Sequence, residues 1–249
     1  MAGREVKSAE FLKELIERRR KERGADRIPR RASAVPVPLS FAQERLWFLE
    51  QLAPGGAAYN IARAFSFEGL LDIAALARSV GVIVSRHDVL RTSFEVEAGR
   101  PVQVVAPGLE VRIPVVDLRA VSGEEQEAEI QRLERQEVLR PFDLARGPFL
   151  RLTLLRLAAE RSVLLLTLHH IAADGWSLGV FYRELGELYR SFTAGMEPAL
   201  PPLPVQYADF ALWQRARLDG AVLEKLLAYW RPQLESAPPV LELPTDRPR

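Results

Sequence analysis

Leu168-His169-His170-Ile171-Ala172-Ala173-Asp174-Gly175-Trp176-Ser177 decides how the rest of this chain is read. Before it runs Val163-Leu164-Leu165-Leu166-Thr167, an apolar run with the length and composition of a strand buried on both faces. After it come Leu178, Phe181, Leu185, Leu188 and Phe192, spaced for one face of a helix. Two histidines therefore stand where a central strand ends, and a loop carries Asp174 and Gly175 into a helix. The chain has three histidines, and two of them are here. Successive strand side chains point to opposite faces, so adjacent histidines cannot both address one cavity. One is expected to do chemistry and the other to support the structure. Two satisfied histidines ending a core strand is the plainer reading. The convergence of His-His, a carboxylate and a glycine at a strand end shifts the balance toward proton transfer near neutral pH.

The totals set bounds. The 249 residues allow one large domain or two small ones, and 48% hydrophobic content is ample for a core. A net charge of +1 gives no global attraction to nucleic acid or membrane. With no cysteine and few histidines, disulfides and a Cys- or His-rich metal site are not expected. No apolar run approaches a membrane span, and the N-terminus lacks the apolar centre of a signal peptide. A cytoplasmic protein is the simplest expectation.

Outward from the histidines, residues 1–35 differ from the rest. Ser8 is placed to cap a helix carrying Phe11, Leu12, Leu15 and Ile16, followed by the basic run Arg18 to Arg23 and a linker from Ile28 to Ser33. A solvated helix with a tether is the plain reading, and a docking helix for an acidic partner the sharper one. The folded part is expected from about residue 36. Ser40 caps a helix with an apolar stripe through Phe41, Leu46 and Leu49. Tyr59 to Glu68 alternates as a strand. Asp72 caps a helix that turns Leu76, Val80, Ile83 and Val84 inward. Glu97-Ala98-Gly99-Arg100 reads as a hairpin turn, Val111 to Val116 as a strand, Gly123 to Leu139 as a surface helix, and Phe149 to Leu157 as a strand. Beyond the Pro-rich connection 198–204, helices start at Tyr207 and Leu223.

Four stretches, in this order, carry a resemblance. Ser40-Phe41-Ala42-Gln43-Glu44-Arg45-Leu46-Trp47-Phe48-Leu49 resembles SxAQxRLWxL, and Arg86-His87-Asp88-Val89-Leu90-Arg91-Thr92-Ser93-Phe94 resembles RHxxLRTxF. The histidine stretch resembles HHxxxDG, and Tyr207-Ala208-Asp209-Phe210-Ala211-Leu212-Trp213-Gln214 resembles YxDFAxWQ. Pro141-Phe142-Asp143-Leu144 with Gly147-Pro148 is a further similar element. These are motifs of the condensation domains of nonribosomal peptide synthetases, in the superfamily of chloramphenicol acetyltransferase. The resemblance covers residues 36–249.

It implies an α+β fold (an α/β sandwich): one lobe with a mixed sheet and helices packed on one face. It implies an acyltransferase-type condensation, in which an acyl or peptidyl thioester joins the amine of an aminoacyl thioester. No cofactor or metal is bound directly; both substrates hang on the 4'-phosphopantetheine arms of carrier proteins and enter a tunnel between two similar lobes. His170 is expected to face the tunnel, with His169, Asp174 and Gly175 completing the motif. Asp174 is expected to pair with Arg91, or else with Arg86, and Trp176 and Trp213 to support the site. The first histidine favours amide formation over heterocyclisation, where the family has Asp. The later motifs of the family are absent, so the chain is expected to be the first lobe, inactive alone. Its expected partners are the carriers, the second lobe and a docking partner for the N-terminal helix, with neither nucleic acid nor membrane. Two alternatives stand beside this: a non-catalytic interaction lobe, and a coenzyme A-dependent acyltransferase of the same superfamily.

Overall fold

The computed structural model of the chain describes residues 27–32, 37–121, 123–238, 240 and 244. The expected helix from Ser8 and the basic run 18–23 lie outside them. The described residues form seven strands and six helices. The strands are β1 (Val37–Pro38), β2 (Asn60–Glu68), β3 (Thr92–Glu97), β4 (Arg100–Val105), β5 (Val115–Asp117), β6 (Leu150–Ala158) and β7 (Arg161–His169). The helices are α1 (Phe41–Leu52), α2 (Ile73–Arg86), α3 (Gly123–Leu139), α4 (Gly175–Thr193), α5 (Tyr207–Arg217) and α6 (Gly220–Leu234). A 3-10 turn, Asp88–Arg91, joins α2 to β3.

Two sheets form. The larger has the order β2-β7-β6-β5, antiparallel except for the parallel β5–β6 pair; the smaller has the order β1-β4-β3. β7 lies inside the larger sheet, and its burial on both faces follows from that position. Its even residues Leu164, Leu166 and Leu168 pack with Leu76, Val80 and Ile83 of α2 and with Leu178, Phe181 and Leu188 of α4. Its odd residues Val163 and Leu165 pack with Ile130 and Leu133 of α3. Helices therefore cover both faces, not one. The α+β expectation holds, and the second layer arises because Ile130 and Leu133 give the highly charged α3 an apolar stripe.

Local signals account for most boundaries. Ser40 and Gln43 close a reciprocal capping box at α1, and Asp72 Oδ1 accepts from the Ala75 N–H at 2.9 Å. Ala98 and Gly99 take positive φ (48° and 78°), as a two-residue hairpin turn between β3 and β4 requires. Two expectations shift. Phe41 lies outward with the Arg215 guanidinium over its ring, 4.1 Å from the centroid, and Gln43 takes the inward place beside Leu46. The expected strand at 111–116 shrinks to Val115–Asp117, because Pro114 has no N–H for a ladder. Val111 and Ile113 still pack on the core as irregular chain.

Candidate functional site

The motif stretches meet behind the histidines. Leu46 from the first and Leu39 just before it, Phe94 from the second, Phe142 and Leu144, and Ile171 form one buried cluster with Phe149. α5 is tied to the start of α1: Ser40 Oγ lies 3.0 Å from the Tyr207 hydroxyl, Gln214 Oε1 accepts from the Phe41 N–H at 3.0 Å, and Arg215 donates to the Leu39 carbonyl at 2.8 Å. Gln206, just before α5, accepts from the Asp88 N–H at 3.1 Å and donates to the Arg86 carbonyl at 2.9 Å. The fourth motif thus braces the first two around the end of β7.

That strand end is held from both sides. The His169 N–H donates to the Phe149 carbonyl at 3.1 Å, and the His170 N–H to the Tyr59 carbonyl at 2.9 Å. The two imidazoles diverge, as alternation requires. His169 is 3% exposed, within ring-packing distance of Tyr59, Phe142 and Phe149. Its Nδ1 accepts from the Ile171 N–H at 3.1 Å, which fixes the proton of the neutral ring on Nε2. Burial first, then the neighbouring His170 and Arg151, hold its pKa down to about 4. It is neutral at pH 7 and supports the turn. His170 is exposed and lines an open cavity of about 960 Å³, which Leu168 of the same parity also lines.

The depressed His169 pKa has a consequence for stability. The unfolded chain, with an ordinary histidine value near 6.5, binds the proton that the folded chain refuses. The contribution is complete above about pH 6.5 and is lost as pH falls toward 4. The span from 6.5 to about 4 corresponds to about 3 kcal/mol. Denaturant melts between pH 7 and pH 4 should show a fall in stability that His169→Gln reduces. A fall of the same size in that variant would contradict the assignment.

Asp174 does not make the expected ion pair. Its Oδ1 accepts from the Ser177 N–H at 2.8 Å and the Ser177 hydroxyl at 2.7 Å, capping α4, and these bonds hold its carboxyl below the usual range. Both arginines are engaged elsewhere. Arg91 pairs with Asp88 at 2.5 Å, three residues back, and donates to the Ala106 carbonyl. Arg86 meets Glu184 at 3.1 Å and donates to the Pro201 carbonyl. Glu184 lies ten residues beyond Asp174 along α4, about 15 Å by helical rise, so an arginine held there does not reach the cap. Asp174→Ala is therefore expected to cost about 1 kcal/mol, as for a lost cap, and not the several kcal/mol of a broken buried pair. Thermal melts check this; a loss above about 3 kcal/mol would restore the buried pair.

The remaining expected residues divide. Gly175 opens α4, and nothing crowds a β-carbon there. Trp176 lines the cavity mouth and is 84% exposed. Trp213 does not line the cavity; it stacks on Phe210, ring centroids 6.0 Å apart, and it is Phe210 and Tyr207 that line the wall. His87 also lines the cavity, with its Nε2 2.8 Å from Glu184 Oε2. Arg45, Tyr59 and Ile28 are lining residues that the sequence reading did not single out as site residues. Arg45 and Tyr207 sit inside quoted motifs, and that was their available signal; Ile28 had none.

Comparison with known proteins identifies the family. The family model described as Condensation domain matches residues 34–249. The chain is similar to a linear gramicidin synthase of Brevibacillus parabrevis, 50% identical over 86% of this chain and 4% of that protein. It is 46% identical to phosphinothricin tripeptide synthetase PhsC of Streptomyces viridochromogenes, over 89% of this chain and 20% of that protein. Among solved structures, the X-domain in complex with OxyB from teicoplanin biosynthesis superposes with a TM-score of 0.79 at 31% identity, covering 90% of this chain and 48% of that one. The first condensation domain of the calcium-dependent antibiotic synthetase, in complex with a substrate analogue, gives 0.73 at 28% identity, covering 82% and 48%. The chain spans about half of those solved chains and a small part of the curated synthetases.

Proposed function

This chain belongs to the condensation-domain family, and from that premise we propose that it is the first lobe of an amide-forming condensation enzyme. The observation that carries the reading is the division of the histidines: one sealed and neutral in the core, the other, His170, on a strand end in an open cavity. The donor is an acyl or peptidyl thioester and the acceptor an aminoacyl thioester, each on the phosphopantetheine arm of a carrier protein. The acceptor nitrogen attacks the donor carbonyl carbon. A C–N bond forms and the C–S bond breaks. The proton lost by the amine passes to the His170 imidazole, which can return it to the departing thiolate. The same ring orients the amine and offsets charge as the tetrahedral state develops. No covalent enzyme intermediate is needed. His169 keeps the turn in shape, and Asp174 and Ser177 fix the start of α4 beside it.

The carriers and a second lobe are the partners of this reading, and the cytoplasm its compartment. No helix among the described residues is long and apolar enough to cross a membrane. The test is product formation by a two-lobed domain containing this chain, supplied with one donor-loaded and one acceptor-loaded carrier. Amide product supports the reading, and its absence with competent carriers contradicts it. A non-catalytic interaction lobe is the second reading, favoured by the likeness to an X-domain solved in complex with another protein, OxyB. It expects His170 variants to behave like the parent.

A further inference from the structure

The family match begins at residue 34, yet Ile28 lines the same cavity as His170. We infer that residues 27–32 are a strap that completes one wall of the cavity, with Arg31 as its clamp and Ile28 as its contact with the group bound there. Arg31 is held twice. Its guanidinium meets Asp88 Oδ2 at 3.0 Å, and its backbone N–H donates to Asp209 Oδ1 at 3.1 Å. The three side chains are 17%, 13% and 1% exposed, so the clamp is sheltered from water and weakly screened.

Both carboxylates are already fixed by the fold. Asp209 Oδ2 caps α5 by accepting from the Gln206 N–H at 2.8 Å, and Asp88 Oδ1 holds Arg91 at 2.5 Å. Arg31 takes the one oxygen that each leaves over. This assigns work to Asp88 and Asp209, motif residues that the proton-transfer reading leaves without any. The charges balance, two arginines against two aspartates, as a sheltered cluster requires. Gln206 lies in the cavity wall and bonds to this cluster, so the strap and the wall are one hydrogen-bonded unit. The half-buried Ile28 limits the size of the group accepted at that end. This size consequence rests on the peptide-forming reading; the clamp does not.

The chain has no cysteine, so the Ile28→Cys variant of the full chain carries a single thiol. Its rate of reaction with N-ethylmaleimide reads the strap. Adding Arg31→Gln is expected to raise that rate roughly tenfold, while Arg31→Lys, which keeps the charge, raises it less. Equal rates in all three would overturn the clamp. A second measurement uses the unaltered chain, where the Arg31 amide should exchange with solvent at least about tenfold more slowly than an open amide. Free exchange there would also overturn it. In the two-lobed domain, Ile28→Trp is expected to lower kcat/KM for a bulky thioester relative to a glycyl one by roughly tenfold. An unchanged ratio, with product still forming, overturns the size limit. Loss of all product in the unaltered domain speaks against the peptide-forming reading instead, and the labelling rates still decide the clamp.

Discussion

Given donor- and acceptor-loaded carriers, this chain alone is expected to form no amide above the uncatalysed rate, and a separately expressed second lobe to restore product. The reason is geometric. Holding an amine and a thioester at attack distance can supply about 7–11 kcal/mol of the barrier, but only while both are held. The cavity beside His170 opens to solvent, and Trp176 at its mouth is 84% exposed. Val222, Tyr229 and Trp230 of α6 are exposed as well, on a helix with no buried residue. Apolar surface of this kind is what a second lobe would cover. Without that wall, water competes for every polar contact at His170 and weakens it. The check is a product assay with and without the added lobe. Turnover by the chain alone, at a rate the lobe does not change, would contradict the expectation.

Much of this was legible in the sequence because it rests on short-range rules. Alternation along β7 separated the two histidines, and caps at Ser40 and Asp72 marked helix starts. The apolar run before His169 foretold a strand buried on both faces. What was not legible is pairing over distance. Nothing local tells Arg86 to choose Glu184, 98 positions away, over Asp174. Asp174 is followed three residues later by Ser177, a local partner that satisfies it first, and a carboxylate before a helix is as much a cap as half of an ion pair. The same limit hid Ile28, which lines the cavity beside Arg31, whose partners Asp88 and Asp209 lie 57 and 178 positions on. Trp213 was expected at the site through the motif it sits in, but Phe210 of the same motif lines the wall and Trp213 packs on it.

In a two-lobed domain, His170→Ala is expected to slow amide formation by about 10²–10⁴-fold and leave folding intact. The His170 ring is exposed, and among the described residues only its backbone N–H is engaged in a hydrogen bond, to Tyr59. Alanine keeps that bond and removes only the proton acceptor. His169→Ala differs: it opens a space among Tyr59, Phe142 and Phe149 and strips the Ile171 N–H of its acceptor, so it lowers stability. Melting temperatures beside single-turnover rates separate the two. Full activity in a folded His170→Ala variant would move the chemistry elsewhere.

His170, and not His169, is expected to meet the substrates. Nitrogen-15 spectra of the histidine side chains test it most directly. Only this chain is labelled, so three imidazoles are seen, and an unlabelled second lobe supplies the other wall. A non-hydrolysable aminoacyl-pantetheine amide is then titrated in. The expected result is that the His170 nitrogens shift with ligand, while His169 keeps its neutral Nε2–H form from pH 7 down toward about 4. Movement of the His169 nitrogens with ligand, beside unmoved His170 signals, would contradict the account.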